Sequence, residues 1–175
     1  MKKTVLLMLP WVILFAVAGP AEPKGENPLQ LKSPAFENNG FIPVKFSCEG
    51  KDINPAFVIE GVPPGTESLA LIADDPDAPG GMWVHWVVCN IAPIGRIEEN
   101  SVPGEQGTND FGKKSYAGPC PFSGIHRYFF KLYALDVMLN LSEGFRKPEL
   151  EKAMDAHILA KAELTGLYKR ENNGE

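Results

Sequence analysis

The apolar residues of this chain come in short runs, each cut off by a cluster of turn-forming residues. The runs are Ile42 to Phe46, Ala56 to Ile59, Ser68 to Ala73, Val84 to Ile91 and Arg127 to Leu135, all rich in Val, Ile, Phe or Tyr. Between them stand Pro63-Pro64-Gly65, Asp75-Pro76-Asp77 and Pro79-Gly80-Gly81. Proline removes a ladder donor and fixes its own φ, while glycine opens left-handed backbone, so these clusters end extended segments and turn the chain. Many short β-rich runs with dense turns predict an all-β sandwich or barrel. One helix stands out near the C-terminus. Pro148 suits a first helical position, Glu149 and Glu151 suit the positive end of the helix dipole, and Leu150, Ala153, Met154 and His157 share a face. From Ile158 the apolar period changes to the alternation of a strand, with a helix continuing to Leu164 as the competing reading.

The N-terminus follows different rules. Lys2 and Lys3 precede an apolar run from Val5 to Ala18, which ends in the small-x-small pattern Ala16-Val17-Ala18. The run is too short to cross a bilayer comfortably. Residues 1–18 therefore read as a secretory signal peptide, with an uncleaved anchor as the alternative. Residues 19–30, rich in Pro, Gly and charge, read as a flexible linker, 31–170 as a single domain and 171–175 as a tail. The expected location is exported, periplasmic or secreted, with no membrane span left after cleavage. Formal net charge is −5, and removing Lys2 and Lys3 makes the chain more acidic still. With no basic cluster, binding to nucleic acid is not expected. In an oxidising compartment Cys48, Cys89 and Cys120 allow one internal bridge, and the sequence does not say which pair forms it. Cys89, inside HWVVCNI, reads as a core residue.

Two segments carry the chemistry. DDPDAPGGMWVHW, Asp74 to Trp86, and GKKSYAGPCPFSGIHRYFF, Gly112 to Phe130, each run through a stiff Pro/Gly loop and deliver a histidine at the mouth of a strand. They look like two walls of one pocket holding Asp75 or Asp77 with His85 and His126. Such a pocket can bind a metal, run acid–base chemistry or bind an anion. The spacing gives no support to a metal, and no G-x-S-x-G elbow frames a nucleophile, leaving Cys120 and Ser123 as weak candidates. Anion binding fits best: a carboxylate neighbour favours imidazolium, and Gly118, Gly124 and the loop between them offer backbone N–H groups. Binding by imidazolium donors should weaken as pH rises. Asp77 also suits an Asx-turn, Trp83 and Trp86 suit either core or pocket wall, and His157 reads as a core residue.

The D-P-D-A-P run of Asp75 to Pro79, the W-V-H-W of Trp83 to Trp86 and the Y-x-G-P…G-x-H-R-Y of Tyr116 to Tyr128 resemble the phosphatidylethanolamine-binding protein (PEBP) family, which includes Raf kinase inhibitor protein. The resemblance runs from about Ser33, through Gly61 to Leu71, to Tyr168. The G-P-C-P of Gly118 to Pro121 and the closing Ala162 to Arg170 are similar to the prokaryotic YbhB/YbcL-like branch. It implies a mainly β fold: a two-sheet antiparallel β-sandwich with Greek-key links and a short helix near the C-terminus. It also implies a small pocket for phosphate-like or phospholipid head-group anions, lined by Asp75, His85 and His126, with Asp77, Gly118, Pro119 and Tyr128 close by. A proline of the D-P-D-A-P turn, Pro79 in particular, is expected after a cis bond. Phe122 replaces a proline common in prokaryotic relatives, and the Gly80-Gly81-Met82 link is shorter than in animal members. The expectation is thus an exported, non-enzymatic binding protein with no catalytic residue, metal or cofactor, whose partner is a small phosphorylated or anionic ligand. The alternative is an interaction or inhibitor module acting on a protease, kinase or host protein.

Overall fold

The computed structural model of the chain describes residues 27–170. The expected signal peptide, most of the linker and the tail lie outside them. Leu29 is already buried and Gln30 opens a strand, so the last residues assigned to the linker belong to the fold.

In chain order the strands are β1 (Gln30–Lys32), β2 (Gly40–Phe41), β3 (Phe57–Glu60), β4 (Ser68–Asp75), β5 (Trp83–Ile91), β6 (Arg96–Ile97), β7 (Glu105–Gln106), β8 (His126–Leu135) and β9 (Ile158–Tyr168). A single α-helix among the described residues, α1 (Lys147–Met154), precedes β9. β1, β3 and β6 form a small sheet, and β2-β9-β8-β4-β5-β7 form a large one. All pairings are antiparallel except the short parallel contact of β2 with β9. β5 is followed by β6 in the other sheet, and the chain returns to place β8 on the far side of β4.

β4 lies at the centre, between β5 and β8, and all eight of its residues are buried. Successive strand side chains point to opposite faces. Leu69, Leu71 and Ala73 therefore join Phe57, Ile59, Trp86 and Phe130 in the core between the sheets. Ala70 and Ile72 pack on the other face with Leu150 and Met154 of α1. The change from helix to strand falls where the periodicity changes, between Met154 and Ile158.

Three local expectations are corrected. Ile42 to Phe46 is not a strand: β2 stops at Phe41, and past Pro43 the residues Val44–Phe46 form a single 3-10 turn. His157 is not a core residue but a half-exposed one, 2.8 Å from Asp136 Oδ1 in the turn before β9. No peptide bond among the described residues is cis, so Pro79 follows a trans bond. The disulfide joins Cys48 to Cys120, and Cys89 is free and buried.

Candidate functional site

The end of the large sheet where β4 finishes and β5 and β8 begin carries a cavity of about 300 Å³. Asp75, His85, His126 and Tyr128 line it together with Trp83, Phe111, Pro121 and Phe122. β4 contributes Asp75, β5 contributes His85, and β8 contributes His126 and Tyr128. The two histidine loops are thus walls of one pocket.

A β-bulge aims His85. In the β4–β5 ladder Ala73 faces Trp86 and Asp74 faces Val84, leaving His85 as the extra residue. A bulge lets two consecutive side chains share a face. Trp86 enters the inter-sheet core while His85 reaches the cavity. The carbonyl of His85 accepts from Asn109 Nδ2 at 3.1 Å and from the Ala117 amide at 3.1 Å. Asn109 is wholly buried, and its Oδ1 accepts the Phe111 and Lys113 amides at 3.0 and 2.9 Å. One amide side chain therefore shapes the loop that puts Phe111 edge-on to His85, with ring centroids 5.3 Å apart.

His85 Nδ1 lies 2.7 Å from the Ala117 carbonyl. A carbonyl only accepts, so Nδ1 carries a proton, and whenever the ring is neutral Nε2 is the acceptor. Burial pulls the pKa of His85 below the ordinary histidine value, against the opposing pull of the Ala117 carbonyl and Asp75. Burial thus works against the imidazolium expected at His85, and Asp75 offsets it only in part.

His126 Nδ1 sits 2.8 Å from Asp75 Oδ2, and both side chains are buried. The other Asp75 oxygen accepts the Asp77 amide at 2.8 Å, which fixes the turn after β4. The Tyr128 hydroxyl is fully covered and has no well-formed hydrogen bond among the described residues. Burial first, and then the nearby Asp75 carboxylate, push its pKa up, so it stays a protonated donor.

The remaining expected site residues stand off the cavity wall. Asp77 accepts two hydrogen bonds from the Arg127 guanidinium, at 2.9 and 2.7 Å, and one from the Arg127 amide at 2.9 Å. Hydrogen bonding to Arg127 lowers its pKa to about 2. Gly118 gives its N–H to Asp52 Oδ1 at 2.6 Å, so that donor is not free to cradle an anion. A Cβ on Gly118 would come 2.2 Å from the Phe46 carbonyl oxygen, so close backbone approach is what requires glycine there. The Pro119 carbonyl accepts the Cys48 amide at 3.1 Å. Gly118 and Pro119 seat the loop that brings Cys120 and Pro121 to the wall. Phe111 and Asn109 were not singled out by the sequence, while Phe122 and Arg170 entered only through the family resemblance and not as site residues. Aromatic side chains in loops, and an arginine far along the chain, carry no local signal of a site.

The phosphatidylethanolamine-binding protein family model matches residues 32–169. The chain belongs to this family. A UPF0098 protein of Pyrococcus horikoshii is 50% identical over 159 residues, covering 83% of this chain and 80% of the relative. One from Methanothermobacter thermautotrophicus is 47% identical over 153 residues, covering 81% of this chain and 99% of the relative. Among solved structures, a PEBP homologue of Chlamydia trachomatis superposes with a TM-score of 0.81 at 43% identity, over 83% of this chain and 99% of its own. YbcL of E. coli, described as a member of the mammalian PEBP family, superposes with a TM-score of 0.76 at 29% identity, over 83% of this chain and all of its own. The family resemblance carried by the D-P-D-A-P, W-V-H-W and G-x-H-R-Y motifs is thereby borne out, and with it the mainly β, two-sheet fold.

Proposed function

We propose that this PEBP-family chain is an exported, non-enzymatic binding protein whose cavity takes a small phosphorylated or otherwise anionic group. One observation carries the reading: Asp75, His85, His126 and Tyr128, from three strands and far apart in sequence, line a single cavity. The groups are complementary. Tyr128 supplies a protonated hydroxyl beside the Asp75 carboxylate. Asp75 holds the His126 ring by Nδ1, leaving Nε2 to meet a ligand. His85 offers an acceptor, which suits a ligand that carries a hydroxyl or a protonated oxyanion beside its charge. Hydrogen bonds to a charged group contribute about 1.5–3 kcal/mol each. Offset by the entropy of association, that gives roughly micromolar to millimolar affinity for a lone phosphate.

Two observations support the other parts of the reading. The Cys48–Cys120 disulfide fits an oxidising compartment, in keeping with the leader-like N-terminus. It also consumes Cys120, the thiol nearest the site, which leaves no thiol nucleophile on the wall.

Calorimetric titration of phosphate and phosphoethanolamine into wild type, His126→Ala and Tyr128→Phe tests the reading. Heat from wild type that is lost or strongly reduced in both variants is expected. Equal heats from all three proteins would overturn it.

A further inference from the structure

Lys169 and Arg170 follow directly on β9 and are the last residues that the structure describes. β9 runs antiparallel to β8 with Tyr168 opposite His126. The residues after Tyr168 therefore emerge at the end of the sheet that carries His126, and Arg170 becomes part of the cavity wall. A bracket of contacts keeps it there. Its Nε lies 3.5 Å from Glu49 Oε1. Tyr168 donates its hydroxyl to the other Glu49 oxygen at 2.6 Å, and Ser47 donates to Tyr168 at 2.7 Å. Cys48, between Ser47 and Glu49, is covalently tied to Cys120 on the opposite side of the same wall.

The charge balance of the cavity makes this residue stand out. Asp75 brings a buried carboxylate that opposes an incoming anion, and burial disfavours a charge on His85. Arg127, next to His126, is engaged by Asp77 and does not line the cavity. Arg170 is the one lysine or arginine among the lining residues described. A guanidinium has five N–H donors, and a single carboxylate oxygen at 3.5 Å is too far to use them up.

Resting on the anion-binding reading of the cavity, we propose that Arg170 is its charge-recognising residue, meeting the anionic group of the ligand at the rim. The neighbouring rim is apolar and open, with Phe122 85% and Phe111 43% exposed. An anion attached to an apolar body covers both parts, so an aromatic phosphomonoester is the apt probe.

The test is an NMR titration of the oxidised protein with phenyl phosphate, inorganic phosphate and the neutral benzyl alcohol. Arg170→Gln is expected to weaken phenyl phosphate about ten- to hundredfold, the loss of one charge-assisted contact. Benzyl alcohol is expected to bind both proteins alike, and Arg170→Lys to recover part of the loss. Equal phenyl phosphate affinity in wild type and Arg170→Gln overturns the proposal. So does an equal loss of benzyl alcohol, which would mark a damaged wall rather than a lost charge. If wild type binds no phosphate species at all, the anion-binding reading of the cavity itself falls, and this assignment with it.

Discussion

Asp74 and Asp75 are neighbours in one strand, and both are buried, yet the fold uses them in opposite ways. Asp74 points to the α1 side. Lys131 Nζ reaches its two oxygens at 2.8 and 2.9 Å, and Lys147 Nζ reaches it at 2.6 Å. Its charge is met by two cations. Asp75 points to the other face, where its protein partners are a histidine ring and a backbone amide. Among the described residues no lysine or arginine is ion-paired with it, and the space beside it is the cavity. A carboxylate fully answered by its own protein serves the fold. One answered by groups that keep a further bonding capacity is available to a ligand.

The largest expected effect belongs to the cavity side, whose wall is covalently closed. Cys48 and Cys120 are 72 residues apart. Removing their bridge with Cys120→Ser should lower unfolding stability by about 4 kcal/mol on the chain-entropy scale, measured by urea denaturation. Asp74→Ala comes next. It strands two half-buried ammonium groups and should cost about 3 kcal/mol in the same assay while leaving phosphate binding intact. Asp75→Asn reverses that pattern: losing the carboxylate that holds the His126 ring outweighs the relief of its repulsion, with weaker phosphate binding and a smaller loss of stability. If both aspartate variants lose stability and binding in the same proportion, the contrast between them fails.

Acid sharpens the comparison further. The folded state holds His85 below its ordinary pKa, so between that lowered value and about 6.5 the unfolded chain binds more protons than the native one. Stability therefore rises with pH in this window and is lost as pH falls below about 6.5. Thermal midpoints of wild type and His85→Gln at pH 7 and pH 5 check it, and the variant should lose less on acidification. The smallest effect lies just outside the cavity. Arg127→Ala should release the Asp77 carboxyl from about 2 toward the ordinary aspartate range, seen by NMR titration of its carboxyl carbon, with little change in the unfolding midpoint.

The sequence was most legible where one local rule decided the outcome. The β-rich runs Ser68 to Ala73 and Arg127 to Leu135 and the change of period at Ile158 each follow from nearest-neighbour chemistry, and β4, β8 and β9 contain them, with β4 running two residues further to Asp75. The pocket histidines were legible because stiff loops flank both of them. Features that depend on contacts made across the fold were not. Cys48 pairs with Cys120 because Gly118 packs against the backbone of Phe46, a contact between residues far apart in the chain. The bulge at His85 is a property of the ladder with β4, and the lowered pKa of its ring follows from burial. Gly118 looked like an anion cradle because glycine permits close approach, but the group that approaches is protein backbone.

The central claim is that two distant imidazoles meet at one ligand-accepting cavity. Ring nitrogen NMR of the three histidines during a phosphate titration at pH 7 tests it most directly, because His157, half-exposed against Asp136, serves as an internal control. The account predicts that the His85 and His126 signals move together along one binding curve while His157 stays still. Stationary signals at both cavity histidines, or an equal response from His157, would contradict it.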